Sequence, residues 1–174
     1  MVGNLLQEPL PFLSGGIAQI AWVVQDVEAA VHAYYQTFGV GGWTFYTYQK
    51  PFVPRMSYRG EDANYAMRVA LAYFGPMRVE FIQPARGPSI YDEFVDRHGY
   101  GVQHLGVLVE DMKSALADAR RMGLEVIQDG AGFGLDGDGH YAYLDTETRF
   151  GITFELIQRP ARRQPPEKIY PAES

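Results

Sequence analysis

Four polar side chains stand inside otherwise apolar runs: Gln19 in "AQIAWVV", Glu80 in "VEFIQP", His104 in "VQHLGVLV" and Glu155 in "FELIQ". Two carboxylates, an imidazole and an amide, brought together, suit a divalent ion of intermediate softness such as Zn²⁺, Ni²⁺, Co²⁺ or Mn²⁺. The cation would also offset what burial costs the carboxylates. An ion with open positions can stabilise charge on a carbonyl or enolate oxygen while the adjacent C–H loses its proton. A nearby carboxylate then acts as base and returns the proton elsewhere, which gives epimerisation or isomerisation. Glu155 and Glu80 are the candidate catalytic bases, with Glu155 favoured. Singly, a strand Gln or His is more often a hydrogen-bonded structural residue, and a strand Glu is more often solvated. Only their positions relative to one another raise the metal reading above that.

Those positions are set by an internal repeat. Residues 17–40 align without a gap to 102–124, pairing Gln19 with His104 and Asp26 with Asp111. "VEFIQP" and "FELIQRP" align Glu80 with Glu155, at a shorter offset, so the first copy carries an insertion, placed at 50–65. Each copy reads as a strand, a helix capped by aspartate (Asp26, Asp111) and ended at glycine (Gly39, Gly123), then three strands. The strands are expected at about 42–50, 67–74 and 77–84, and at 124–129, 140–145 and 151–158. The expected organisation is an N-terminal extension (1–14), a βαβββ module (15–88), a linker helix (89–99), a second βαβββ module (100–159) and a proline-rich tail (160–174) that runs extended or frays. The fold class is α+β.

Side chains alternate across a strand. Ile20, Trp22 and Val24 therefore share one face, as do Leu105, Val107 and Val109, while Gln19 and His104 take the other. Val79 and Phe81 oppose Glu80, and Phe154 and Leu156 oppose Glu155. If the helices cover one side of the sheet, the four polar residues gather on the other.

"QIAWVVQDVEAAVHAYYQTFG", "RVEFIQP", "GVQHLGVLVEDMKSALADARRMGLEVI" and "GITFELIQ" resemble the vicinal oxygen chelate superfamily, which includes glyoxalase I, methylmalonyl-CoA epimerase, extradiol dioxygenases and bleomycin- or fosfomycin-resistance proteins. The resemblance spans roughly 15–159. It implies a cupped mixed sheet of two βαβββ modules around a metal, with one ligand from the first and last strand of each module: Gln19, Glu80, His104 and Glu155. The wording "YGVQHLGVLVEDMKSAL" is nearest to methylmalonyl-CoA epimerase and its glyoxalase-like relatives, while the Gln/Glu/His/Glu order is similar to glyoxalase I. Epimerases and dioxygenases usually carry His where this chain has Gln19. With only His104 at the ligand positions, the two-His, one-carboxylate face of an iron dioxygenase is not expected. The resemblance implies a metal-dependent isomerase, epimerase or lyase acting beside a carbonyl, and a homodimer. The competing reading is a non-catalytic binding protein of the antibiotic-resistance type, whose members generally lack the ligands.

The insertion offers Arg55, Tyr58 and Arg59 as contacts for a substrate carboxylate or phosphate, and His140 in "GDGHYAYLD" as a further substrate contact; a solvated loop and a strand-edge histidine are the plainer readings. His32 and His98 read as structural, and "GAGFGLDGDG" (130–139) as a flexible lip over the site. Composition narrows the rest. At 174 residues and 47% apolar the chain can bury a core. The net charge of −6 argues against nucleic acid as a partner. The absence of cysteine excludes disulfides, thiolate zinc sites and a cysteine nucleophile. No apolar run approaches the ~20 residues of a membrane span, and the start lacks a basic n-region, so the expected location is the cytoplasm.

Overall fold

The repeat becomes a repeat of structure. A computed structural model describes residues 9–172. The first module contains β1 (Gln19–Val23), α1 (Val27–Phe38), β2 (Trp43–Tyr48), β5 (Ala66–Phe74) and β6 (Met77–Arg86). The second contains β7 (Gly101–Leu108), α3 (Met112–Arg121), β8 (Val126–Ala131), β9 (His140–Leu144) and β10 (Thr153–Gln158), after the linker helix α2 (Ile90–His98). The aspartate caps form as expected: Asp26 accepts from the Ala29 amide, and Asp111 from those of Lys113 and Ser114. Gly39 ends α1 in the left-handed region at φ 69°.

With β3 (Arg55–Tyr58), β4 (Glu61–Asp62) and β11 (Lys168–Tyr170), all strands among the described residues join one curled mixed sheet, in the order β11-β2-β5-β6-β1-β7-β10-β9-β8-β3-β4. The modules meet where β1 lies antiparallel to β7, and within each module the first strand runs parallel to the last. Two helices cover the convex face. α1 packs Val27 and Val31 on Phe45, Val79 and Phe81, while α3 packs Met112, Ala115 and Ala119 on Val107 and Leu156. The concave face holds a third core, rich in tyrosine, that includes Val69, Ile82, Tyr91, Tyr141 and Tyr143. The face assignment made from alternation is therefore the observed one.

Three segments form structure beyond the two modules. The insertion is a hairpin, β3 (Arg55–Tyr58) and β4 (Glu61–Asp62), that pairs with β8 of the other module. Backbone groups left open at a strand edge recruit whatever strand is at hand, and here it comes from across the chain. The tail does not fray over the described residues: β11 (Lys168–Tyr170) extends β2, with Lys168 on Glu28 and Glu167 on Thr47. The described part of the N-terminal extension includes a 3-10 turn (Pro11–Gly15), and Leu10 and Phe12 pack on the convex side of the second module. No helix among the described residues is long and apolar enough to cross a membrane.

Candidate metal centre

Register brings the polar residues together. Across β6, β1, β7 and β10, one row of paired positions reads Glu80, Ala21, His104 and Thr153. The adjacent row reads Arg78, Gln19, Gly106 and Glu155. Both rows face the cup. His104 Nε2 lies 3.2 Å from Glu155 Oε2 and 3.4 Å from Glu80 Oε2. One donor atom from each of these three residues falls within 4.8 Å of the others. Glu80, His104 and Glu155 are all buried, at 8%, 0% and 4% exposure. Two carboxylate oxygens and an imidazole nitrogen, desolvated and convergent, fit a divalent ion.

Gln19 joins the cluster differently from the expected fourth ligand. Its Nε2 donates to Glu80 Oε2 at 2.8 Å and to Glu155 Oε2 at 3.0 Å. Its Oε1 accepts from Arg78 Nε at 2.5 Å. Arginine has no acceptor, so the atom facing it must be the amide oxygen. The amide nitrogen then faces the carboxylates, and its lone pair is not available to a cation. As placed, Gln19 ties the two glutamates together.

Neighbours missed in the sequence set the cluster's geometry. Gln103 Oε1 lies 2.7 Å from His104 Nδ1, which fixes the ring with Nε2 toward the glutamates. The β1–β7 register shifts beside this pair, leaving Gln103 buried. Gly106 is small for a reason: a Cβ there would come within 2.9 Å of Gln19 Cβ and 3.2 Å of Glu155 Oε2. Burial disfavours the charged form of His104, but Glu155 and Glu80 outweigh this and hold its pKa up at about 9. The Tyr143 ring stands 5.0 Å from the imidazole, and burial pushes its phenol well above the usual range. Arg78 was legible by alternation, two residues before Glu80, and Gly106 two after His104. Gln103 depends on a bulge that no local pattern announces.

A pocket opens over Glu80 and Glu155, walled by Tyr48, Phe133, Tyr141, Arg159 and Arg163. Phe133 brings the 130–139 loop into this wall, and the loop is tied to the tail: Ala161 N donates to Asp138 and Leu135 N to the Arg162 carbonyl. The four residues expected to contact substrate are absent from the pocket wall. Tyr58 and Arg59 both bond Glu93 of α2, because the insertion docks on the linker helix rather than over the site. Arg55 is exposed at the start of β3. His140 pairs with Asp129 at 2.8 Å and shares its strand face with Ala142, which packs in the convex core. His32 lies against the Tyr170 ring, tilted by 40°, and His98 bonds Glu147, so both have structural contacts.

The comparisons agree with this architecture. Methylmalonyl-CoA epimerase from Mycobacterium tuberculosis superposes with a TM-score of 0.61 at 18% identity, over 84% of this chain and 88% of that one. A hypothetical protein from Bacillus halodurans gives 0.59 at 15% identity, over 85% and 96%. A variant Streptomyces coelicolor methylmalonyl-CoA epimerase in complex with 2-nitronate-propionyl-CoA gives 0.57 at 23% identity, over 83% and 97%. No curated protein matches the chain by sequence. The family model for the glyoxalase/bleomycin resistance protein/dioxygenase superfamily matches residues 18–143. The chain belongs to that superfamily.

Proposed function

We propose that this protein is a metal-dependent isomerase or lyase that moves a proton on carbon beside a carbonyl, of the methylmalonyl-CoA epimerase or glyoxalase type. The observation that carries the reading is the buried Glu80–His104–Glu155 cluster at the foot of a pocket. These three residues would hold the ion, and Gln19 would keep both carboxylates aligned through its amide nitrogen. A bound divalent ion supplies positive charge where the carbonyl oxygen gains negative charge. Glu155 takes the proton from the carbon beside the carbonyl and returns a proton to that carbon or to its neighbour. It lines the pocket and is oriented by Gln19, so its free oxygen can meet a C–H held above it. Tyr143 stays a neutral phenol beside it, because burial, and then the charge of Glu155, opposes ionisation. Tyr48, Phe133 and Tyr141 form an aromatic wall beside the two glutamates.

The test joins metal analysis to isotope exchange. Purified protein, loaded with zinc, nickel, cobalt or manganese, is incubated in D₂O with methylmalonyl thioesters and the hemithioacetals of 2-oxoaldehydes. Deuterium entering at the carbon beside the carbonyl is followed by NMR. Metal-dependent exchange is expected, with Glu155→Gln losing it, Glu80→Ala losing the metal, and Gln19→Ala keeping most of the metal. Unchanged metal content in both Glu80→Ala and Glu155→Ala would sink the site. Metal binding without exchange on any carbonyl compound would favour a binding-only member of the family.

A further inference from the structure

Three arginines, Arg78, Arg159 and Arg163, line the same pocket as Glu80 and Glu155. They come from separate parts of the chain. Arg78 stands two residues before Glu80 on β6, Arg159 follows the end of β10, and Arg163 is supplied by the tail. Alternation continues past the end of β10, so Glu155, Ile157 and Arg159 follow one another along one side of the extended chain, and all three reach the pocket.

The three guanidiniums have neutral partners where they have partners at all. Arg78 Nε donates to the Gln19 amide oxygen, and Arg163 Nη1 lies 3.4 Å from the Tyr48 hydroxyl with its guanidinium 5.5 Å from the Tyr46 ring centre. Among the described residues, no carboxylate lies within ion-pair distance of Arg78, Arg159 or Arg163. Elsewhere the arginines divide: Arg59, Arg68, Arg97 and Arg162 each meet a Glu or Asp, while Arg86 bonds Asn64 and Arg149 lies over the Phe150 ring. Burial, and then the positive charges of Arg78 and Arg163, pull the Arg159 guanidinium below its ordinary range. Like charges held side by side at a pocket wall are stabilised when an anion enters between them. The pocket's own negative charges are Glu80 and Glu155, and a divalent ion on them would leave the arginines as a local excess.

We propose that Arg159 and Arg163, backed by Arg78, form an oxyanion subsite, and that the substrate carries a carboxylate or phosphate a few bonds from its reacting carbon. This deepens the function proposed above and rests on it for the place of the reacting carbon. The planar, forked guanidinium suits both oxyanions. Glu155 and Arg159 are separated by roughly 13 Å of extended backbone. With both side chains folded over the pocket, a molecule of a few carbons spans the gap. The enclosed space over the glutamates is about 20 Å³, room for about one water, and the rest of the pocket is open to solvent.

Calorimetric titration of malonate and of inorganic phosphate into the full chain, with and without zinc, tests this. Wild type is expected to bind one of the two anions at a single site. Arg159→Gln and Arg163→Gln should each weaken binding about tenfold or more while keeping the wild-type zinc content. Arg163→Lys, which keeps the charge and loses the fork, should recover part of the affinity. Tighter malonate binding assigns a carboxylate and tighter phosphate binding a phosphate, and either sustains the subsite. Absence of anion binding by wild type, or equal affinities in wild type and both glutamine variants, overturns it. The two proposals fail separately. Arginine-dependent anion binding that persists in Glu80→Ala, alongside no proton exchange in wild type, removes the activity and keeps the subsite. Proton exchange with anion binding indifferent to both arginines does the reverse.

Discussion

His104 is wholly buried, yet two carboxylates favour its charged form, so a cation entering the cluster must displace a proton. With the imidazole held at about 9 in the metal-free protein, apparent affinity for cobalt should rise by up to about tenfold per pH unit below pH 9 and then level off. Calorimetry in two buffers of different ionisation heat should count close to one proton released at pH 7. The metal-free fold follows the same linkage. A group whose folded pKa is raised contributes stability that is full below its unfolded value of 6.5 and is lost as pH rises through 9. The Tm of metal-free protein should therefore fall across that interval, and a flat profile would contradict the pairing. Gly106 makes a second prediction at this scale. Gly106→Ala pushes a methyl into Gln19 and Glu155, costs about 1–3 kcal/mol by urea unfolding, and lowers metal affinity. The two glutamates and the histidine were legible because a repeat lifted each out of the background of ordinary strand residues. Gln103 was not, since its role comes from a register shift between two strands remote in sequence.

The elements explain why Ile-Gln follows each glutamate. Ile82 packs inside the cup and Ile157 lines the pocket, while the glutamines face the other way. Gln83 Oε1 accepts from the Val27 amide at 3.0 Å, and Gln158 Oε1 from the Met112 amide at 3.1 Å. In each module the last strand thus satisfies the first free amide of its own helix, beside the aspartate cap. Gln158→Ala should cost about 1 kcal/mol in urea unfolding and leave metal content unchanged, because the helix lies on the side of the sheet away from the cluster. Helices and caps could be read from the chain because their partners are a few residues distant. The destination of the 50–65 hairpin could not: its first strand, β3, pairs with β8, and Tyr58 and Arg59 are taken up by Glu93. No local pattern encodes which edge a strand will meet.

At the scale of the molecule the cluster belongs to neither half. Each module supplies one glutamate from its closing strand and one of Gln19 or His104 from its opening strand, across the β1–β7 seam. The tail then fastens the assembly, placing Arg163 at the pocket and β11 on β2. A chain ending at Gln158 should keep the Glu80–His104–Glu155 cluster and bind zinc, but lose Tm by about 3–10 °C. Its buried tyrosines should exchange and quench faster than in the full chain. Loss of zinc binding on that truncation would mean that the tail supports the cluster itself.

The partner of β2 also has a temporal consequence. Thr47 and the Glu167 that bonds it lie 120 residues apart. At ribosomal rates of about 5–20 residues per second, roughly 6–24 s pass between their syntheses. Throughout that interval the nascent first module presents the outer edge of β2 without its eventual neighbour. That edge is the place where a chaperone, or a second nascent chain, would find unpaired backbone.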